Sequence, residues 1–198
     1  MKKIFTLAAI AATTLSFAQV NPQEGVQTDS ENDGNRVISA NFTYSDPSQA
    51  GLYFEFPSFS LGKDRDNISS IIHLSYGMMD IDVPVIDDIT GSGFVIEFGS
   101  RQYYSNSKRY QGFYTGNYLS YGNISFNEDT DFGNFDGKYS YFSFFSPELG
   151  YKMKFGSFVV DPFVGIMWKI EVRGKGDVDN NYVDEWAPRA GLKIGYSF

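Results

Sequence analysis

Apolar residues recur at every second position along most of the chain after residue 35. The pattern is clearest in residues 186–198, where apolar residues alternate with small or polar ones. The apolar row there consists of Ala190, Leu192, Ile194, Tyr196 and Phe198. Successive side chains of a β-strand point to opposite faces of a sheet. The segment therefore predicts a strand with one apolar face and one polar face.

Eight such segments follow one another, which predicts an all-β chain of eight antiparallel strands. They lie at residues 36–44, 51–56, 68–78, 93–104, 112–122, 139–155, 158–172 and 186–198. In the fifth segment Asn117 interrupts the apolar row, so its pattern is the weakest. In the sixth segment the row that we expect on the outside is Tyr139, Tyr141, Phe145, Pro147, Leu149, Tyr151, Met153 and Phe155.

Charged residues of these segments fall on the row opposite the apolar one. They are Glu55, Glu97, Arg101, Glu148, Lys152, Lys154, Asp161, Lys169, Glu171, Arg189 and Lys193. A Lys or Arg that faces lipid at the middle of a membrane costs about 2–4 kcal/mol, so a transmembrane barrel requires this segregation. A soluble sheet packed on a core requires the same alternation. Alternation alone therefore leaves both possibilities open.

The connections between the predicted strands alternate in character. Three are fairly short and contain basic residues, namely LGKDRDN (61–67), YYSNSKRYQ (103–111) and KFGS (154–157). Three others are longer and acidic, namely DIDVPVIDDITG (80–91), NEDTDFGNFDGK (127–138) and GKGDVDNNYVDE (174–185), and SDPSQA (45–50) is short. Short periplasmic turns and longer outer loops are typical of outer-membrane barrels. The even strand number also places both chain ends on one side, which predicts an eight-stranded up-and-down transmembrane β-barrel.

Composition narrows the class of protein further. With 19 Phe, 14 Tyr and an aromatic share of 18%, the chain is rich in rings, although its mean hydropathy is only −0.28. Transmembrane barrels have this character, because only every second residue meets lipid. The formal charge of −8 disfavours nucleic-acid binding, which depends on clusters of Lys and Arg. The chain contains no Cys, so disulfides, thiolate metal sites and cysteine catalysis are excluded.

The first residues have the organisation of a secretory signal peptide. Lys2 and Lys3 precede the apolar stretch 4–15, and small residues follow at 16–18. The apolar run is too short to span a bilayer as a helix. We therefore predict a signal peptide at 1–18, a polar disordered segment at 19–35 and the barrel at 36–198, with export to the outer membrane.

The terminal aromatic residue supports the same class of protein. The ending GLKIGYSF, with Tyr196 and Phe198, resembles the signal that the barrel assembly machinery recognises in outer-membrane proteins. Residues 36–198 resemble small eight-stranded outer-membrane barrels of the OmpA and OmpX kind. The segments GFYTGNYLSYG, SPELGYKMKF and VVDPFVGIMW are also similar to a barrel family common in Bacteroidota, in which Pro often lies on the lipid-facing row, as at Pro147 and Pro162. Asn117 departs from that pattern.

Two motifs with possible chemistry are weak. His73 and Ser75 share one strand face, a spacing that some outer-membrane lipid A deacylases use, but both are predicted to face the lumen, away from a lipid substrate. We expect instead a lumen histidine hydrogen-bonded near Glu55. The loop that contains Asp177, Asp179, Asn181, Asp184 and Glu185 begins like a calcium loop, but it has Tyr182 where that loop requires Gly and Pro188 where it requires Glu. The sequence predicts no enzyme, no cofactor and no dedicated metal site.

The inward charges are the main candidate site. They form a predicted lumen network of Glu55, His73, Glu97, Glu148, Lys169, Glu171, Arg189 and Lys193. An eight-stranded barrel leaves an interior just wide enough to be filled by side chains, and buried charges there require partners. A polar plug that rigidifies the barrel is favoured over a narrow gated pore.

The resulting functional prediction is a monomeric outer-membrane barrel with a structural or surface-interaction role through its acidic outer loops. Its expected partners are outer-membrane lipid, lipopolysaccharide, the assembly machinery and an unidentified surface ligand. Aromatic girdles are predicted from Tyr139, Tyr141, Trp168 and Trp186 on the outer side, and from Phe155, Phe158, Tyr196 and Phe198 on the periplasmic side. A narrow channel, a lipid A-modifying enzyme and a soluble lipocalin-like carrier remain as alternatives.

Overall fold

The computed structural model describes residues 36–58, 67–82, 89–105, 110–130, 133–176, 178 and 183–198. The predicted signal peptide and the segment 19–35 lie outside this range. The described residues form nine strands. These are β1 (Val37–Tyr44), β2 (Ser48–Pro57), β3 (Ile68–Ile81), β4 (Ile89–Tyr103), β5 (Gly112–Thr130), β6 (Gly133–Phe145), β7 (Pro147–Phe155), β8 (Phe158–Gly176) and β9 (Trp186–Ser197).

The strands close into a barrel. Each of β1 to β5 pairs antiparallel with the next strand along the chain, β8 pairs with β9, and β9 returns to pair with β1 along its whole length, from Val37 opposite Ser197 to Tyr44 opposite Ala190. Strands β6 and β7 lie end to end between β5 and β8. The described strands therefore occupy eight positions around the ring, which confirms the predicted all-β up-and-down architecture.

The break between β6 and β7 changes which side chains face outward. The pairing of β6 with β8 shifts between Phe142 and Phe145, where β6 contains one more residue than its partner. Phe144 and Phe145 are consequently both exposed, and alternation resumes with Ser146 buried. A β-bulge of this kind reverses the inside and outside assignment on one side of it.

This bulge corrects one prediction. Tyr139 and Tyr141 are buried inside the barrel and do not belong to an outer aromatic girdle. Their row was extrapolated from Phe145 with an unbroken period of two, which the bulge invalidates. The fifth strand has the predicted register in spite of Asn117, with Phe113, Leu119 and Tyr121 facing outward.

The two ends of the barrel differ, and we call them the terminal end and the far end. At the terminal end, Arg36 and Phe198 exchange two backbone hydrogen bonds of 3.1 and 2.9 Å, and Gly156 and Ser157 form the tight β7–β8 turn. The connections after β2 and β4 also leave from this end. The connections after β1, β3, β5 and β8 leave from the far end, as the sequence predicted.

Strands β3, β4, β5, β6 and β8 extend beyond the others at the far end. Two segments predicted as long acidic loops contain strand. The described residues of 127–138 are all strand, since β5 and β6 form a ladder up to Thr130 opposite Gly133, and in 80–91 the described residues 80–81 and 89–91 are strand. The loop prediction was wrong for these strand residues because their outward side chains are polar. A polar outward row has the composition of a loop unless the apolar inward row is taken into account.

Apolar side chains change faces along these extended strands. Near the terminal end and in the middle of the barrel they face outward, as at Leu74, Phe98 and Leu119. Beyond the positions of Met78, Phe94, Tyr121 and Phe142 the outward residues become polar, and the inward ones become apolar. The inward apolar cluster of the far end consists of Met79, Ile81, Ile89, Ile124, Phe126, Phe135, Tyr139, Tyr141, Met167, Val178, Val183 and Ala187. The barrel thus has an inverted zone, polar inside and apolar outside, below a far zone of ordinary polarity.

Inward aromatic rings cover glycines on neighbouring strands. The directly paired residues are Tyr114 and Gly150, Tyr118 and Gly99, Tyr141 and Gly122, Phe126 and Gly91, and Phe163 and Gly191. A Cβ atom on Gly150 would lie 2.3 Å from the Tyr114 hydroxyl, so the ring occupies the space that a side chain would need. Glycine therefore lets large rings fill this narrow interior.

Candidate functional site: a charged network inside the barrel

The guanidinium of Arg101 lies at the centre of a charged cluster in the inverted zone. Its side chain projects inward from β4 and has no solvent exposure. Its Nη1 lies 2.6 Å from Asp161 Oδ2 and its Nη2 lies 2.7 Å from Glu148 Oε1, while Nε donates to the Tyr118 hydroxyl at 2.9 Å. Arg101 therefore joins β4 to β5, β7 and β8 across the lumen.

Aromatic rings flank the same guanidinium. The Arg101 Cζ atom lies 3.9 Å from the ring centre of Tyr114 and 4.8 Å from that of Tyr53. A cation over an aromatic face is attracted by the ring quadrupole, and the attraction is stronger where water is excluded. The rings therefore replace part of the hydration that the buried cation has lost.

The carboxylate of Glu55 accepts hydrogen bonds from several strands. Ser69 Oγ and the Tyr103 hydroxyl each donate to Oε1 at 2.6 Å, and Lys152 Nζ forms a short ion pair with Oε2. The guanidinium of Arg101 approaches the same Oε2 atom at 3.5 Å. Glu55 is completely buried, and these donors compensate for its desolvation.

The carboxylate of Glu148 accepts hydrogen bonds from a third group of side chains. Its Oε1 atom accepts from Lys193 Nζ and from the Tyr118 hydroxyl, both at 2.9 Å. The Lys193 ammonium also lies 3.3 Å from the ring centre of Phe163. The Tyr114 hydroxyl lies 2.7 Å from Asp161 Oδ1 and 2.9 Å from Glu148 Oε1, so its single proton can serve either carboxylate.

A second cluster lies farther along the lumen, around Glu97. Its Oε2 atom lies 2.8 Å from His73 Nδ1 and 3.0 Å from Arg189 Nη2. The other ring nitrogen of His73 lies 3.0 Å from the Asn41 side-chain amide nitrogen, and Arg189 Nη1 donates to Ser146 Oγ at 2.6 Å. His73 therefore bridges the Glu97 carboxylate and the Asn41 side-chain amide.

A separate ion pair lies above these clusters. Lys169 Nζ lies 2.7 Å from Asp46 Oδ2, and Asp46 belongs to the β1–β2 turn at the far end. This pair ties that turn to β8. Glu171, predicted for the network, is only half-buried and forms none of the ion pairs among the described residues.

The structure therefore divides the predicted network. It brings together Glu55, Glu148 and Lys193 in one cluster, and His73, Glu97 and Arg189 in another. It pairs Lys169 with Asp46, above both clusters, and leaves Glu171 outside the ion pairs of the described residues. The partner of His73 is Glu97, whereas the sequence predicted a position near Glu55.

The network predicted from the sequence does not include the residues at its centre. Arg101, Lys152 and Asp161 had been placed on the inward row but not in the network. The alternating pattern does not single out the tyrosines Tyr103, Tyr114 and Tyr118, which lie among the charges. The alternating pattern indicates that these side chains face inward. Which of them contact one another depends on the register of strands that are far apart in sequence.

Among the described residues, His73 and Ser75 do not form a catalytic pair. The single Ser75 hydroxyl proton can serve Gln49 Oε1 at 3.3 Å or Val95 O at 3.2 Å, and no hydrogen bond links Ser75 to His73. Most of the calcium-like loop lies outside the described residues. Within the described residues, no group of three or more His, Cys, Asp or Glu side chains could hold a metal ion.

Buried side chains pack together inside the barrel at both ends. At the terminal end, Tyr103, Tyr110 and Tyr114 pack together, with ring centres 5.4 and 5.7 Å from Tyr103. At the far end the inward apolar cluster fills the interior. The charged network thus cross-links the strands from within, although Glu97 Oε1 and Arg189 Nε are buried without a hydrogen-bond partner among the described residues.

Comparisons with known proteins add little to this description. No family model matches the chain, and no curated protein matches it. The N-terminal β-barrel domain of Pseudomonas aeruginosa OprF is similar to this chain, with a TM-score of 0.48 and 14% identity over 84% of this chain and 100% of that domain. Acinetobacter baumannii CarO has a TM-score of 0.42 and 10% identity, over 85% of this chain and 100% of CarO. No helix among the described residues is long and apolar enough to cross a membrane, a finding that concerns helices alone.

Proposed function

We propose that this chain is an integral outer-membrane β-barrel with a filled lumen. The observation that carries the proposal is the inverted zone, in which apolar side chains cover the outside and charged side chains fill the inside. Leu52, Leu74 and Phe98 are 62%, 53% and 51% exposed, whereas Arg101 is 0% exposed. In water this arrangement would be unfavourable for both sets of side chains, but in lipid it is the expected one.

The height of the inverted zone matches a membrane. On β3 the outward row runs from Ile68 at the terminal end to Met78, and the polar Asp80 follows it. Ten residues of a strand that rises 3.3 Å per residue and tilts by about 40° span roughly 25 Å. This is close to the apolar band of outer-membrane barrels, about 25 Å tall.

Aromatic residues mark both edges of this band. Trp168 and Trp186 stack on the outside with ring centres 6.1 Å apart, and Phe144 and Phe145 pack edge-on against them. At the terminal end the corresponding exposed rings are Phe155, Phe158, Tyr196 and Phe198. Aromatic girdles at both interfaces are typical of membrane barrels. The role of Tyr196 and Phe198 in recognition by the assembly machinery remains a prediction.

The filled lumen favours a structural or surface-interaction role over transport or catalysis. The network occupies the middle of the barrel, the tyrosines close one end, and the apolar cluster closes the other. His73 is 1% exposed and faces the lumen, where a membrane lipid does not reach it. Surface interaction is assigned to the far end, where Asp80, Asp82, Glu128, Asp129 and Asp184 are exposed.

The two tryptophans allow a direct test of the membrane proposal. They are the only Trp residues of the chain, and both lie in the half of the band that is nearer the far end. We expect their fluorescence in proteoliposomes to be quenched more strongly by lipids brominated near the carbonyl end of the acyl chain than by lipids brominated near its methyl end. The Trp168→Phe and Trp186→Phe variants, measured singly, show whether both rings report the same depth.

The soluble-carrier alternative predicts a different result. A detergent-free monomer with no quenching at either bromine depth would overturn the proposal. It would also require the apolar wall to be covered in another way.

A further inference from the structure

A cluster of basic residues lies on the outer wall of the barrel. Lys138 on β6 and Arg173 and Lys175 on β8 project outward around Asn123 of β5 and Ser140 of β6, and together these residues line a cleft of about 220 Å³. We call it the basic cleft. Its volume exceeds that of several water molecules, each of which occupies about 30 Å³ of liquid.

Strand pairing brings these residues together. Ser140 is directly opposite Arg173, and Lys138 is directly opposite Lys175. Asn123 is opposite Ser140, and its side-chain amide donates to Ser140 Oγ at 2.9 Å. Ser140 is 6% exposed, so it forms the floor of the cleft, while the three cationic side chains are exposed around it.

The basic cleft lies at the far edge of the apolar band. On β8, Arg173 follows the exposed Val172 directly, and on β5, Asn123 lies two residues beyond the exposed Tyr121. On β6, Ser140 and Lys138 follow the exposed Phe142 in the outward row. In a membrane this is the level at which acyl chains give way to headgroups.

Charge favours an anionic occupant. The chain has a net charge of −8 and an acidic far end, so it repels anions in general. The basic cleft concentrates three cations, and among the described residues none of them forms an ion pair with a carboxylate. The next outward residue on β6 is Asp136, on the side away from the membrane. Phosphate is bound by Lys and Arg through charge-assisted hydrogen bonds.

We propose that the basic cleft binds the phosphate-bearing headgroup of an outer-leaflet glycolipid. This inference rests on the proposed membrane function, since only a barrel embedded in the leaflet brings a lipid phosphate to this level. The acyl chains of the lipid would lie along Tyr121, Phe142 and Val172, directly below the cleft. The cleft would thereby fix one lipid to one side of the barrel.

Binding of fluorescent diphosphoryl lipid A to the full-length chain in detergent tests the proposal. EDTA in the buffer removes bridging of the lipid to acidic loops through divalent cations. We expect the combined variant Lys138→Gln, Arg173→Gln and Lys175→Gln to bind the lipid more weakly. Its dissociation constant should rise by about tenfold or more, because charge-assisted hydrogen bonds to phosphate are lost. Lipid A without phosphates should bind the wild type and this variant equally.

A matched control removes the same charges elsewhere. The variant Lys63→Gln, Arg65→Gln and Lys108→Gln also loses two Lys and one Arg, from connections that leave the terminal end. It should bind diphosphoryl lipid A like the wild type. Equal affinity of the cleft variant and the control would overturn the proposal. Displacement of the lipid by millimolar inorganic phosphate would also overturn it, because the site would then be one for free anions.

The tryptophan measurement separates this inference from the membrane proposal. If the cleft variant shows wild-type quenching in vesicles and wild-type lipid affinity, the lipid site is wrong and the membrane barrel stands. If the wild type shows no quenching, both proposals fail.

Discussion

At the residue scale, the buried charges of the lumen form a network in which each group depends on several others. Arg101 contacts Asp161 and Glu148 directly and approaches Glu55 at 3.5 Å. Removing one partner of a buried ion pair is more costly than replacing the whole pair, because the remaining charge is left without compensation. The network is therefore expected to be sensitive to single substitutions.

The Arg101→Met variant tests this sensitivity. It leaves three carboxylates without their shared cation, and we expect a loss of about 3–5 kcal/mol in the free energy of unfolding. The measurement is the urea midpoint at which the compact, unheated band is lost in gel electrophoresis of the protein in lipid. The control is Arg36→Met, which removes an exposed charge and should change stability by less than about 0.5 kcal/mol. Equal midpoints would show that the network contributes little.

The rings that cover glycines support a second residue-scale prediction. In Gly150→Ala the new Cβ atom would meet the Tyr114 ring, and the overpacking should cost about 1–3 kcal/mol. Comparison with the same change in a Tyr114→Ala background forms a double-mutant cycle, measured by the same urea midpoints. The Gly150→Ala change should cost clearly less in that background. An equal cost in both backgrounds would mean that the ring is not the obstacle.

At the element scale, the bulge between β6 and β7 decides which residues of one strand face outward. Phe144 and Phe145 are 48% and 46% exposed, whereas Ser143 and Ser146 are buried. No pattern of period two reproduces this order of inside and outside. The bulge permits both phenylalanines to join the aromatic edge beside Trp168 and Trp186.

Spin labels can test the bulge, because the chain contains no native Cys. Single Cys variants at positions 143 to 146 are labelled and reconstituted in vesicles. We expect high collision rates with oxygen, which partitions into lipid, at Phe144→Cys and Phe145→Cys, and low rates at Ser143→Cys and Ser146→Cys. Strict alternation of the rates along the four positions would contradict the bulge.

At the scale of the whole molecule, the barrel combines an inverted zone with a far zone of ordinary polarity. The inward apolar cluster and the inward charges lie at different levels of one continuous lumen. Together with Tyr103, Tyr110 and Tyr114 they leave the interior packed with side chains. A filled interior is what the width of an eight-stranded barrel allows.

Because its lumen is filled, we expect the barrel not to conduct ions. Protein inserted into planar bilayers, with insertion verified by tryptophan quenching, should show no discrete conductance steps. A steady conductance that changes in Lys169→Ala or Glu171→Ala would contradict the plug and support the narrow channel. Glu171 is the informative member of this pair, since its half-buried side chain is outside the ion-paired network.

The sequence by itself determined the strand faces in the inverted zone. The period-two pattern is a local property of the backbone, so it can be read wherever one face meets lipid and the other does not. For the same reason the sequence predicted that Glu55, Glu97, Glu148 and Lys193 point inward, and it predicted which connections share an end.

Only the tertiary structure decided the rest. The partners of Arg101 come from residues up to 60 positions away, and their meeting depends on register between strands that are distant in the chain. The bulge that turned Tyr139 and Tyr141 inward depends on pairing with β8. The change of apolar face at the far end depends on what surrounds each level of the barrel. An apolar residue in an alternating row indicates that one face of the strand is removed from water. Whether that face meets lipid or the barrel interior is decided by the closed fold and its surroundings.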